Sequence, residues 1–365
     1  MIDFRYHLVS LISVFLALAV GIVLGAGPLR EPIADSLQAQ VDSLREDRDN
    51  LRLDLDEANT TIADADSYVT ATAGQLLSDT LTGVNVSLVV SDTVDAATVD
   101  AVTARLGEAG GTLVGTTTLR ETAFAVAEAD ELLGTLRGLD PTLPEAEDAA
   151  LSTAAARALA GPAAPTTAAP AAAEETPPAT DGPAAYDAGT AQQVLDAFAA
   201  ERRITADEPA PADVVLVLAP AGTAGTTGAS ADDPATEPAD GTPTPTATAT
   251  SDTSGPEARL LFTEALGELA PTAVSGPSTS AADGLIGDLR ADGAPVTTVD
   301  GLQYTSGPVI TALSVASTHQ GARDAFGFAS AADTVVPDAE ALRSSLASTQ
   351  QADAEGAEGT GEGEQ

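Results

Sequence analysis

The sequence predicts an α/β fold: an N-terminal transmembrane helix and a coiled coil, followed by a mostly parallel-sheet α/β domain with disordered insertions. Three observations lead there. An uncharged apolar run fills residues 8–24, a heptad pattern of apolar residues follows it, and beyond Gly74 strand-like and helix-like segments alternate. Such alternation is what parallel strands joined by crossover helices require. The chain then divides into a transmembrane anchor (1–30), a juxtamembrane coiled coil (31–73), an extracytoplasmic α/β domain (74–340) with low-complexity insertions at 161–183 and 221–255, and an acidic disordered tail (341–365).

The anchor comes first. Between Leu8 and Leu24 only Ser10 and Ser13 are polar, and the lipid-facing candidates are Leu8, Val9, Leu11, Ile12, Val14, Phe15, Leu16, Leu18, Val20, Ile22, Val23 and Leu24. The uncharged stretch continues through Gly25, Gly27, Pro28 and Leu29 to Arg30. About 20 apolar residues suffice to cross a bilayer core, and serine hydroxyls can bond back to carbonyls of their own helix. A signal peptide cut after Gly27 is the alternative, and a buried helix of a soluble protein is a third reading. The run is longer than the ~7–15 residues of an ordinary signal-peptide core, and a helical pattern continues from it. Both points favour an uncleaved, single-pass anchor in the cell membrane or envelope. Arg5 and His7 precede the run and Arg30 follows it, so the charge bias across it is slight. The short upstream and long downstream segments place the N-terminus in the cytoplasm and the C-terminal domain outside it.

The coiled coil rests on spacing. Leu37, Val41, Leu44, Leu51, Leu55, Ala58, Ile62, Ala65 and Val69 recur at alternating intervals of four and three, with Arg48 at the one core position that is not apolar. Asp, Glu, Arg, Gln and Asn fill much of the space between them. A helix from Ala34 to Val69 would be roughly 55 Å long. Arg48 is either a polar core residue that sets register or a side chain reaching outward from the edge of the seam. Self-association is the simpler partnership, and a helix of another protein is the alternative.

In the α/β part, Val84–Val90 reads as a buried strand and Ala96–Ala109 as a helix stopped by Gly110 and Gly111. Thr112–Thr117 is a second strand, completing a βαβ unit. Helical segments follow around Phe124–Leu139, Glu145–Leu159 and Ala191–Arg203, then a strong strand, Val214–Leu218. Past the second insertion come a helix at Glu257–Leu269, a strand at Thr272–Val274, a helix at Gly284–Ala291, a strand at Val296–Val299 and a last helix at Pro308–His319 ending at Gly321. The two insertions contain no large apolar residue to offset the entropy of ordering them, so disorder is expected there.

Composition excludes much chemistry. The formal net charge is −40, with 15 cations, all arginine, against 55 acidic residues, so nucleic acid is no partner. There is no cysteine, and Met1 is the sole methionine, which removes disulfides, thiolate metal sites and cysteine nucleophiles. The first βα turn, Ser91-Asp92-Thr93-Val94, lacks the glycines that a dinucleotide pyrophosphate needs. Gly222, Gly225 and Gly228 follow a strand but open an insertion instead of a helix, so they hold no anion. Of the two histidines, His7 lies at the membrane edge. His319 ends the last helix, where a cation suits the helix dipole; a weak metal-ligand role is its alternative. No catalytic residues and no cofactor emerge, so the protein reads as a non-enzyme. A scaffold or regulator of a cell-wall enzyme, and an α/β domain sensing a small ligand, are both open.

The N-terminus, IDFRYHLVSLISVFLALAVGIVLGAGPL, resembles the start of the actinobacterial MctB family. The matching residues are Arg5, Tyr6, His7, Gly21, Leu24, Gly25, Gly27, Pro28 and Leu29. A heptad helix, the segment VSLVVSDTVDAATVDAVTARLGEAGGTLVG and the late segment SGPVITALSVASTHQGARDAFGFASAADTVVP continue the likeness. The resemblance implies an envelope protein of a high-GC actinomycete with a role in copper transport or copper homeostasis. Copper enters by that resemblance alone.

Overall fold

The computed structural model describes residues 4–26, 31–161, 184–208, 210–222 and 254–344. The chain falls into two compact units, Met1–Tyr68 and Val69–Gln365. The two low-complexity insertions and the acidic tail lie outside the described residues, apart from the insertions' outermost residues and 341–344.

The first unit is helical. Helix α1 spans Phe4–Ala26, and the Ser13 hydroxyl donates to the carbonyls of Val9 and Ser10, each at 2.9 Å. That hydroxyl is thereby satisfied within the helix. Helix α2 spans Glu31–Leu77, about 70 Å of helix. Pro32 stands in its first turn, where a missing N–H costs nothing. No other proline and no glycine interrupts it before Gly74. Its outer surface carries short-range polar pairs, such as Gln38 donating to Asp42 and Arg45 to Asp42.

The second unit begins with the end of α2. The expected boundary at 73 falls inside that helix, which runs on to Leu77 and buries Ala73 and Leu77. There follow β1 (Asn85–Ser91), α3 (Ala96–Glu108), β2 (Thr112–Leu119), α4 (Asp130–Leu139), α5 (Glu147–Leu159), α6 (Ala188–Ala200), β3 (Ile204–Ala206), β4 (Val214–Leu218), α7 (Ser254–Leu269), β5 (Thr272–Ser275), α8 (Ser278–Asp283), α9 (Leu285–Asp292), β6 (Thr297–Val299), α10 (Gly307–His319) and β7 (Ala325–Phe326). The strands form one sheet in the order β3-β2-β1-β4-β5-β6-β7. Every pairing is parallel except that of β3 against β2.

Why β4 sits in the middle is plain from its sequence. Val214-Val215-Leu216-Val217-Leu218 is apolar on both faces, and only a strand covered on both sides can use that. Leu216 pairs with Leu88 of β1 on one edge and Ala273 of β5 on the other. Val215 and Val217 face a layer made by α4, α5, α6, α7 and α9, while Leu216 and Leu218 face α3, α10 and the end of α2. The result is a three-layer α/β/α sandwich. With few aromatics available, the first layer packs through alanine: Ala150, Ala154 and Ala155 of α5 are fully buried. There the Ser152 hydroxyl donates to the Ala258 carbonyl of α7 at 2.8 Å.

Three details differ from the sequence reading. The helix expected at Gly284–Ala291 is α9, and a short helix that was not expected, α8, precedes it and is divided from it at Gly284. A Cβ there would stand 2.9 Å from the Gly222 Cα, so the close passage of the chain leaving β4 fixes the break. Strands β3 and β7 were not expected, because three and two residues carry no readable period. Finally, Ala339 and Leu342 are buried in the core and Arg343 donates to the Gln75 carbonyl at 3.1 Å, so packed chain extends past position 340.

Candidate functional site

In a doubly wound sheet a ligand site forms where successive connections leave in opposite directions, at the carboxyl ends of the strands. Here that point lies between β1 and β4, because β2 was added on one side of β1 and β4 on the other. A cavity of about 140 Å³ sits there, lined by Thr93, Val94, Asp95, Ala219, Pro277 and Gln303, among others.

The chemistry of that crevice follows from Asp95. It caps α3, accepting the Thr98 N–H at 2.9 Å and the Thr98 hydroxyl at 2.7 Å. These bonds, the hydroxyl first, hold its carboxyl below the usual range. A dinucleotide site presents free backbone N–H groups to a pyrophosphate at this position; this one presents a carboxylate that already occupies the Thr98 N–H. Opposite, Gln303 accepts the Ser278 N–H at 3.0 Å and donates to the Ser278 hydroxyl at 2.9 Å. Gly222 lies so close to the Thr279 carbonyl of α8 that any side chain would collide with it. As far as Gly222, the end of the described residues there, the chain leaving β4 is packed against a helix and forms no phosphate cradle.

His319 stands at the other end of the sheet. It is exposed in the last turn of α10 and shares a shallow cavity of about 220 Å³ with Glu268, Thr272 and Arg323. Among the described residues no group of three or more His, Cys, Asp and Glu side chains is placed to hold a metal ion.

The remaining predicted residues divide by element. On α1 the apolar side chains from Leu8 to Val23 are exposed, as are Tyr6 and His7, and nothing stands over Gly21 or Gly25. This helix is long and apolar enough to cross a membrane. Arg5 and Leu24 lie on its backbone, while Gly27, Pro28 and Leu29 are outside the described residues. On α2, Val41, Leu44, Leu51, Leu55, Ala58, Ile62 and Ala65 are all exposed, and Leu37 lies on its backbone. Arg48 is exposed too and donates to Asp49 at 2.7 Å. Val69 is half-buried against the α/β core.

Sequence reasoning missed two buried charge clusters. Asp140 accepts hydrogen bonds from the Thr142 hydroxyl at 2.6 Å, the Tyr186 hydroxyl at 2.7 Å and the Arg157 guanidinium. Burial alone would raise its pKa, but those hydrogen bonds outweigh it and hold the carboxyl down at about 2. Burial, with the Asp140 carboxylate alongside, pushes the Tyr186 hydroxyl up. Arg157 and Tyr186 lie on either side of the first insertion in the sequence, so the cluster joins the two described segments that flank it. The second cluster joins Arg290 to Asp300. Only Asp140-Pro141-Thr142, a turn sequence in which an Asp side chain caps its own turn, carried a local signal.

Comparison with known proteins adds the family. A family model described as "Copper transport outer membrane protein, MctB" matches residues 1–337. Among curated proteins, the copper transporter MctB of Mycobacterium tuberculosis is 31% identical over 134 residues, covering 36% of this chain and 42% of the relative. The copper transporter MctB of Mycobacterium leprae is 40% identical over 135 residues, with the same shares covered. The matched stretch spans less than half the length of these relatives. With the family model spanning nearly all of it, the chain belongs to the MctB family of copper transport outer membrane proteins.

Proposed function

We propose that the protein is a membrane-anchored component of copper homeostasis in the cell envelope, acting through assembly rather than through a copper chelate of its own. The observation that carries this reading is the family match over residues 1–337, which takes in α1, α2 and the α/β domain together. Helix α1 is the anchor, with its exposed apolar surface in lipid and Tyr6 and His7 at the membrane edge. The N-terminus is cytoplasmic and the α/β domain lies outside the membrane. Helix α2 brings copies together.

Donor chemistry supports the emphasis on assembly. Soft copper ligands are thiolate, thioether and imidazole, and this chain has no cysteine, one methionine and two histidines placed in different units. A single apolar helix encloses no path for an ion, so a transport role needs several copies. Among the described residues the crevice holds no phosphate cradle, and no reaction is assigned to it. A second reading is favoured by the exposed stripe of α2: a scaffold that positions a cell-wall enzyme without copper chemistry.

Deletion of the gene in its host separates the two. The copper reading expects raised cellular copper and lower copper tolerance, both restored by the wild-type gene. Unchanged copper content and tolerance, with altered cell shape, would establish the scaffold instead.

A further inference from the structure

We infer that α2 pairs with the α2 of a second copy as a parallel, in-register, two-stranded coiled coil, with Asp47 of each copy facing Arg52 of the other. The inference deepens the proposed assembly through α2 and rests on it for the choice of partner.

The core positions come first. Intervals of four and three assign Val41, Leu55 and Ile62 to one core position of the heptad, position a, together with Arg48. Leu44 and Leu51 take the other, position d. Their exposures are 40% for Val41, 67% for Leu44 and Leu51, 59% for Leu55 and 58% for Ile62, an apolar stripe broken at Arg48 on a helix whose other faces are mostly polar, with Leu53 and Tyr68 exposed outside it. β-Branched residues at a with leucine at d favour two parallel strands. The stripe ends where Val69, Ala73 and Leu77 enter the core of the α/β unit, so the pairing segment is 41–62.

The flanking charges choose the direction. Arg45 and Arg52 fall at position e, and Asp47 and Asp54 at position g. In a parallel pair, g of one heptad faces e of the next heptad on the other copy, which sets Asp47 opposite Arg52 twice by symmetry. An antiparallel pair sets e against e and g against g, bringing arginine to arginine and aspartate to aspartate. The charges now satisfy one another along the single helix, Arg45 with Asp42 at 2.9 Å and Arg52 with Asp49 at 4.0 Å. Those pairs are exposed and weak, so they exchange readily for contacts across an interface.

Arg48 fixes the register. At position a it meets its own counterpart, and its long side chain can reach out to Asp47 of the other copy. A slip of one heptad would set one Arg48 against Leu55 beside Asp54 and the other against Val41 beside Gln40, so only one of the two guanidinium groups would keep a carboxylate partner. Connectivity agrees with the direction. Four residues, 27–30, separate α1 from α2, a reach of at most about 14 Å, so two copies anchored in one membrane start their α2 helices from the same face.

The chain has no cysteine, so single cysteines in the full-length protein report the pairing without background. Detergent-solubilised Leu44→Cys and Ile62→Cys variants are oxidised mildly, separately and as a mixture, with mass measured by light scattering. The expected result is a disulfide-linked dimer from each variant alone. Cross-linking only in the mixture would overturn the inference in favour of an antiparallel pair, in which like cysteines stand about 27 Å apart. A monomeric mass without cross-links would overturn both the inference and assembly through α2. Dimers from each variant alone, in a protein whose deletion leaves cellular copper unchanged, would keep the inference and remove the copper reading. For the charges, Asp47→Arg or Arg52→Asp alone should weaken dimerisation on the order of tenfold, and the two together should restore it. Failure of that rescue would overturn the Asp47–Arg52 contact.

Discussion

The Arg290 guanidinium meets the Asp300 carboxylate at 2.9 Å, and the two side chains are 7% and 0% exposed. That carboxylate also accepts the backbone N–H groups of Phe328 at 2.8 Å and Ala329 at 3.1 Å. Arg290 in turn donates to the Thr298 hydroxyl at 2.9 Å and the Phe326 carbonyl at 2.8 Å. Gly327, at φ +128, passes so close to the carboxylate that no side chain fits. The short strand β7 is thus held at the sheet edge by a buried charge pair more than by its own ladder.

Removing one partner of such a pair leaves the other buried and uncompensated. Arg290→Ala should therefore destabilise the α/β unit by about 3–5 kcal/mol. Urea unfolding checks the magnitude, and hydrogen exchange should show protection lost first around residues 325–329. A change under about 1 kcal/mol would mean that water takes over from the guanidinium.

Asp140 gives the fold an acid limit. Its carboxyl is held at about 2 in the folded chain, against 3.8 ordinarily. A depressed folded value contributes stability above the unfolded pKa and loses it as pH falls towards the folded one. Melting temperatures of wild type and Asp140→Asn should therefore differ by a constant amount above about pH 5 and converge between about pH 4 and 2. Parallel curves throughout would show that the carboxylate is not the group titrating.

Helix α1 is exposed along its length, which is tolerable only in lipid or against another apolar surface. Ile12→Arg with Leu16→Arg should cost roughly 6 kcal/mol of insertion free energy. Alkaline carbonate extraction should then move the protein from the membrane fraction to the soluble one. Retention of the double variant in the membrane would transfer the anchoring role to another segment.

Much of this architecture is legible in the sequence because it repeats. The apolar run of α1 and the heptads of α2 extend over many residues, and Val214–Leu218 announces a central strand by being apolar on both faces. Gly110 and Gly111 mark the end of α3, and Gly110 does adopt φ +88. Elsewhere the signal is absent for physical reasons. Strands β3 and β7 are too short to show a period, and the break at Gly284 depends on Gly222, far away in the chain. The switch-point crevice shows its lack of phosphate-binding glycines in the sequence, but Asp95 acquires its role only once Thr98 is folded over it. Arg290 with Asp300, and Asp140 with Tyr186, meet only through tertiary structure.

The most direct test of assembly-dependent copper handling is the copper content of cells whose only copy carries Leu44→Asp, Leu51→Asp and Leu55→Asp at wild-type abundance. Charged residues in the stripe should remove the proposed pairing while leaving the α/β core, where none of the three packs, intact. Copper should accumulate in these cells to the level of the deletion strain. Copper content equal to that of wild-type cells would contradict it.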